Sequence, residues 1–134
     1  MIALLCSVKA EAEHLLAITE VTKTTTIGST PIIEGTLAGH AVLLCIGGMG
    51  KVNAAHAATI LSGYDPAVIV IFGIGGAYPS SRAKIGDVVI AQEEIAGDEG
   101  VLTLDGFKDT EYIGIPLLTT STSVIYATKD SVSI

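Results

Sequence analysis

The chain has 134 residues, is 49% hydrophobic and carries a formal net charge of −7. That is enough apolar material for one domain around a single core, and the acidic balance is the wrong sign for a phosphate-backbone partner, so no nucleic acid is expected. No apolar run reaches the ~18 residues of a membrane span, and the opening Met1-Ile2-Ala3-Leu4-Leu5 lacks the basic start of a signal peptide, so the expected setting is cytoplasmic, with no membrane partner.

Residues 2–7 form a short apolar run that predicts a first strand, and residues 10–18 (AEAEHLLAI) predict a helix with Leu15, Leu16 and Ile18 on its apolar side. The Thr-rich residues 22–29 are expected to be a turn region. Residues 31–37 and 41–46 flank Ala38-Gly39-His40 and predict a hairpin. Gly47-Gly48-Met49-Gly50 then breaks the second of these strands. Residues 51–61 (KVNAAHAATIL) predict a second helix, packing through Val52, Ala55, Thr59 and Ile60 and closed by Gly63. After Asp65-Pro66, residues 67–72 are an unbroken β-branched run of the kind buried on both faces of a sheet, and residues 85–91 are another. Strands alternating with helices indicate an α/β domain with a mostly parallel sheet. The Thr/Ser-rich tail, residues 119–134, has β propensity without a capping or periodic signal.

Cys6 and Cys45 both fall inside apolar strands, which favours reduced core thiols over a disulfide. His14, His40 and His56 lie far apart without ligand spacing, and Glu11 and His14 form a single E-x-x-H with no second copy, so no metal is expected. No cofactor fingerprint is met either. A G-x-G-x-x-G starting at Gly73 would need glycine where Tyr78 stands, and Pro79 interrupts the helix that should receive the pyrophosphate. A P-loop ending in Gly50-Lys51 would need glycine at Cys45 and Ser or Thr at Val52.

What remains is a pair of glycine-broken strand ends, Gly47-Gly48-Met49-Gly50 and Gly73-Ile74-Gly75-Gly76. Ligands of open α/β sheets bind beyond the carboxyl ends of parallel strands. Two such ends side by side would offer backbone amides to a flat ring or a small anion; tight packing without a ligand would also call for glycine. Glu11 and Glu13, early in the first helix, are equally compatible with an exposed charge favouring the helix dipole.

The blocks SVKAEAEHLL, GGMGKVNAAHAATIL, DPAVIVIFGIGGA, KIGDVVIAQEE and GDEGV, in this order, resemble the nucleoside phosphorylase and nucleosidase superfamily over roughly residues 1–118. The stretch from GIGGAYPSS to GDEGV, followed by DGF and IGIPLL, is most similar to futalosine hydrolases, with the 5′-methylthioadenosine/S-adenosylhomocysteine nucleosidases close by. The resemblance implies a three-layer α/β fold with a mixed, mostly parallel sheet, incomplete at its C-terminal side, in one partial domain spanning residues 1–134. It implies hydrolysis of the N-ribosidic bond of futalosine to release hypoxanthine, on the route to menaquinone, without a cofactor, by a homodimer or larger homo-oligomer. By position, Glu11 matches the glutamate that holds the attacking water, Ile74, Gly75 and Gly76 line the base pocket, Met49 stands near the ribose and Val101 lies against the base.

The family's Ser-Asp pair, which protonates the base, and the Met-Glu pair that grips the ribose have no match here; Ser131 follows Asp130 in reverse order and no Met occurs after Met49. The expectation is therefore a fragment: a truncated chain, a frameshifted gene or half of a longer protein. The 134-residue chain incubated alone with futalosine is expected to release no hypoxanthine detectable by chromatography. Turnover near ~1 per second, an ordinary enzyme rate, would show that Asp98, Asp130, His56 or another residue supplies the acid.

Overall fold

In the computed structural model the apolar runs near the N-terminus become adjacent strands because their side chains alternate between two buried faces. The structure describes residues 1–94, 97–116, 118–122, 124–125 and 130–131. It divides into two compact units, Met1–Gly76 and Ala77–Ile134.

The first unit holds β1 (Ile2–Cys6), α1 (Lys9–Ile18), β2 (Glu20–Ile27), β3 (Thr30–Leu37), β4 (His40–Ile46), α2 (Lys51–Ser62) and β5 (Val68–Ile71). Its sheet runs β2-β3-β4-β1-β5. The β2–β3 and β3–β4 pairs are antiparallel hairpins, whereas β1 lies parallel to both β4 and β5. The sheet is thus mixed, with β1 at the centre of its parallel part.

Each face of this sheet is closed by one helix. Ala3, Leu5, Ile32, Leu43 and Cys45 form one buried cluster with Ala57 and Leu61 of α2. The alternate residues, Cys6 and Leu44 with Leu4, Ile33 and Ile46, pack on the other face with Ala12, Leu15 and Leu16 of α1. Strand side chains point to opposite faces at successive residues, so the near-continuous apolar strands β1 and β4 supply both layers. The result is the expected three-layer α/β arrangement.

Several expectations are corrected. Residues 22–29 are not a turn region: Thr22 to Ile27 belong to β2, and the turn is confined to Gly28-Ser29, with Gly28 at φ 62°. Threonine is β-branched and suits a strand once β3 is there to receive it. The Ala38-Gly39 turn has positive φ at both positions, 50° and 80°, as the primed hairpin turns require. In α2 the buried residues are Ala57 and Leu61, with Ile60 partly buried, while Val52, Ala55 and Thr59 face solvent. An alanine-rich helix carries too little apolar contrast to show its inner side in sequence. Ile18 of α1 is likewise exposed.

Strand β5 is an edge strand of this sheet, so Val68, Val70 and Ile71 are exposed rather than buried on both faces. Residues 85–91 form no strand. Lys84 and Asp87 close a turn there, in which the Lys84 N–H donates to Asp87 Oδ2 at 2.8 Å and Gly86 takes φ 93°. Ile85, Val88, Val89 and Ile90 are all exposed. A β-branched run becomes a strand only where another strand accepts its backbone groups.

The second unit is built of short antiparallel pairs: β6 (Glu93–Glu94) with β11 (Asp130–Ser131), β7 (Gly100–Thr103) with β8 (Gly106–Asp109), and β9 (Leu118–Thr119) with β10 (Val124–Ile125). The β7–β8 turn is held by Thr103, whose Oγ1 donates to the Gly106 carbonyl at 2.8 Å. The Lys108 ammonium stands 5.4 Å from the centre of the Tyr112 ring. In the tail, residues 126–129 and 132–134 lie outside the described residues.

The reassigned face of α2 is open to test. Leu61→Ala should destabilise the chain by about 2–5 kcal/mol, as a buried leucine does, while Val52→Ala should stay within about 0.5 kcal/mol. Urea unfolding of the two variants checks this; equal losses would mean that α2 is rotated from the position described.

Candidate active site

β1, β4 and β5 are parallel, so their carboxyl ends lie along one edge of the sheet. Beyond β4 the ladder continues briefly: the Gly47 N–H donates to the Cys6 carbonyl at 2.9 Å and the Gly48 N–H to the Ser7 carbonyl at 3.1 Å. Beyond β5 the Phe72 N–H donates to the Leu5 carbonyl at 2.9 Å. The chain leaves β1 through only Ser7 and Val8 before α1 begins. This short connection carries Glu11, the third residue of α1, back over the strand ends.

The Glu11 carboxylate is held by three backbone amides. Its Oε2 accepts from the Ser7 N–H at 3.0 Å and from the Val8 N–H at 3.1 Å. Its Oε1 accepts from the Ile74 N–H at 3.0 Å, 63 residues away in sequence. The bond to Val8 is the acidic half of a capping box; Val8 has no side-chain acceptor, so its carbonyl takes the Glu11 N–H instead, at 3.1 Å. The bond to Ile74 goes beyond helix capping. These amides hold the Glu11 carboxyl below the usual glutamate range, Ile74 contributing most, then Val8, with partial desolvation opposing them and Ser7 adding to the lowering.

Gly73 makes that geometry possible. A Cβ built on Gly73 would lie 2.5 Å from Glu11 Oε1 and 3.0 Å from its Cδ. Gly47 has a different reason, since a Cβ there would meet Ala57 Cβ at 2.8 Å and Leu5 Cδ1 at 2.9 Å, blocking α2 from the sheet. Gly75 and Gly76 have nothing within 4 Å of such a Cβ, so neither close packing nor a positive φ accounts for them.

The other residues singled out from sequence fall as follows. Ile74 is joined to Glu11 through its backbone, while its side chain is 87% exposed. Met49 follows β4 and is 73% exposed; its carbonyl accepts from Asn53 Nδ2 at 2.7 Å, which ties the glycine turn to the first turn of α2. Val101 belongs to β7 in the second unit. Gly73 was singled out as part of the glycine turn but not as the neighbour of Glu11; Ser7 and Val8 were missed, and no spacing in the sequence marks them. They become visible only once β1 and β5 are known to be parallel neighbours. Among the described residues no cluster of three or more His, Cys, Asp or Glu could hold a metal ion. No helix among them is long and apolar enough to cross a membrane.

The sequence model of the phosphorylase superfamily matches residues 1–129. The chain belongs to that superfamily. Among curated relatives, a 5′-methylthioadenosine/S-adenosylhomocysteine nucleosidase of Bacillus thuringiensis is 38% identical over 93 residues, which is 69% of this chain and 40% of the relative. A nucleosidase of the same name from Neisseria meningitidis, solved in complex with methylthio-immucillin-A, superposes with a TM-score of 0.72 at 27% identity, covering 98% of this chain and 52% of its own. The futalosine hydrolase of Helicobacter pylori shares the fold, with a TM-score of 0.68 at 17% identity over 93% of this chain and 50% of its own. The chain spans 40% of the length of the curated relative and about half that of the solved structures.

A pH dependence follows from the amide cradle. The folded-state pKa of Glu11 is depressed, so its contribution to stability is complete above the unfolded value of ~4.3 and is lost as pH falls through the lower folded value. Urea midpoints of the wild-type chain and Glu11→Gln should therefore differ most at neutral pH and converge in acid below the ordinary glutamate range. A gap that widens on acidification would contradict the cradle.

Proposed function

We propose that this chain is the water-side portion of a purine nucleoside N-ribosidase. The observation that carries the proposal is the Glu11 carboxylate, fixed by amides from the ends of β1 and β5 in a chain of the phosphorylase superfamily. Cleavage of an N-ribosidic bond passes through an oxocarbenium-like sugar, as glycoside hydrolysis does. It needs a carboxylate to orient water at the anomeric carbon and an acid to protonate the leaving base.

Glu11 suits the first role. A carboxylate has about four acceptor positions; three amides occupy two on Oε2 and one on Oε1, leaving Oε1 one acceptor for a water. Its lowered pKa keeps it ionised at neutral pH. Such a group is a weak base toward free water, since a general base works best with a pKa near the operating pH. It therefore acts first by holding the water and by placing negative charge near the developing cation, and takes the proton only as the water oxygen bonds to carbon. In this proposal Met49 stands beside the ribose, and the turn from Ile74 to Gly76, open at Gly75 and Gly76, underlies the flat base.

For substrate we propose futalosine, with hypoxanthine as the released base, on the resemblance of residues 73–101 and the later DGF and IGIPLL blocks. A 5′-methylthioadenosine or S-adenosylhomocysteine substrate is the second reading, favoured by the 38% identity to nucleosidases of that name. A nucleoside-binding or assembly module without catalysis is the third. In an active protein carrying residues 1–134, Glu11→Gln should lower hydrolysis by about 10²–10⁴-fold, whereas Glu13→Gln should be near neutral. Free base released from futalosine, inosine and methylthioadenosine, followed by chromatography, measures both the effect and the substrate. Activity that survives Glu11→Gln within a few-fold but is abolished by Glu13→Gln would overturn this assignment and move the water-side role to Glu13.

A further inference from the structure

Two glycines near the strand ends exclude a side chain by close approach, and they do so against different neighbours. At Gly47 a Cβ would strike Ala57 Cβ and Leu5 Cδ1, parts of the buried core. At Gly73 all three of the nearest atoms belong to the Glu11 carboxyl group: Oε1 at 2.5 Å, Cδ at 3.0 Å and Oε2 at 3.4 Å. That group is the end of a flexible, half-exposed side chain. The two positions should therefore respond differently to an added methyl. At Gly47 the helix must shift; at Gly73 the carboxylate can swing away while the fold survives.

We infer that Gly73 is a positioning residue: the missing side chain at this position lets the Glu11 carboxylate lie against the backbone after β5 and accept the Ile74 N–H. Its φ is not positive, so a change to alanine introduces no left-handed strain and isolates the steric effect. The displaced carboxylate would lose its bond to Ile74 while those to Ser7 and Val8, on its own side of the sheet, could persist through Oε2. The glycine that follows the central strands thus has a role toward the catalytic group that is distinct from lining a base pocket. This rests on Glu11 as the water-side carboxylate only for its bearing on hydrolysis; the placement itself can be tested without activity.

The test is an NMR titration of the Glu11 side-chain carboxyl in the 134-residue chain. Because the Ile74 amide is the largest cause of the lowered pKa, Gly73→Ala should move the titration midpoint of Glu11 upward. Gly75→Ala, in the same loop but with nothing near its Cβ, should leave it in place. A Glu11 midpoint in Gly73→Ala equal to that of the wild-type chain overturns the proposal. Thermal unfolding gives a second measurement. Any lowering of Tm by Gly73→Ala should vanish when the carboxylate is first removed by Glu11→Ala, and a lowering that persists in that background also overturns it. Failure of Glu11 to act on the substrate would appear instead in the hydrolysis assay with Glu11→Gln, leaving the titration result intact.

Discussion

The bond from the Ile74 amide to the Glu11 carboxylate carries the pairing of β1 and β5 past the end of their ladder. Parallel strands have slanted hydrogen bonds, and their ends leave amides that no neighbour satisfies. At this edge those amides are drawn onto one anion. Ser7 and Val8 present N–H groups from the start of α1, Ile74 presents another from beyond β5, and a single side chain neutralises all three. A charge-assisted bond of this type is roughly twice as strong as one between neutral groups, so the carboxylate organises the backbone as much as the backbone holds the carboxylate.

This arrangement depends on chain direction and on small connections. The exit from β1 is two residues long, which fixes the third residue of α1 above the strand ends. The pairing of Leu5 with Ile71 sets where β5 ends relative to that residue. The helices on the two faces hold the three strands in one plane, α2 through Ala57 against Gly47 and α1 through the fully buried Ala12. Geometry at the edge is therefore inherited from packing on both faces. A site assembled in this way is stiff, because moving Glu11 requires either breaking amide bonds or shifting a strand within a buried core.

The central strands and both helices were legible because their signals are local: near-continuous apolar runs in β1 and β4, alanine-rich composition in α2, and glycine at the strand ends. The glycine turn could be singled out from its residues and Glu11 by resemblance to a family, while their contact could not, since it joins a side chain to a backbone amide 63 residues away. The misread elements fail for a common reason. Thr22 to Ile27 became a strand and residues 85–91 did not, although the second run is the more apolar, because only the first has a partner to pair with. The exposure of β5 has the same origin, in its place at the edge of the sheet. Partner availability is a property of topology, which residue type does not encode.

The two thiols sit on adjacent strands with Cys45 facing α2 and Cys6 facing α1. Successive positions in the register place them on opposite sides of the sheet, so no oxidant can join them without turning a strand over. Burial pushes the Cys45 thiol up to about 11 and raises Cys6 as well, Glu11 adding to the latter, which leaves little reactive thiolate at neutral pH. Alkylation of either sulfur must then wait for the layer over it to open. Because each thiol lies under a different helix, the order in which the two label would report which face of the sheet opens first.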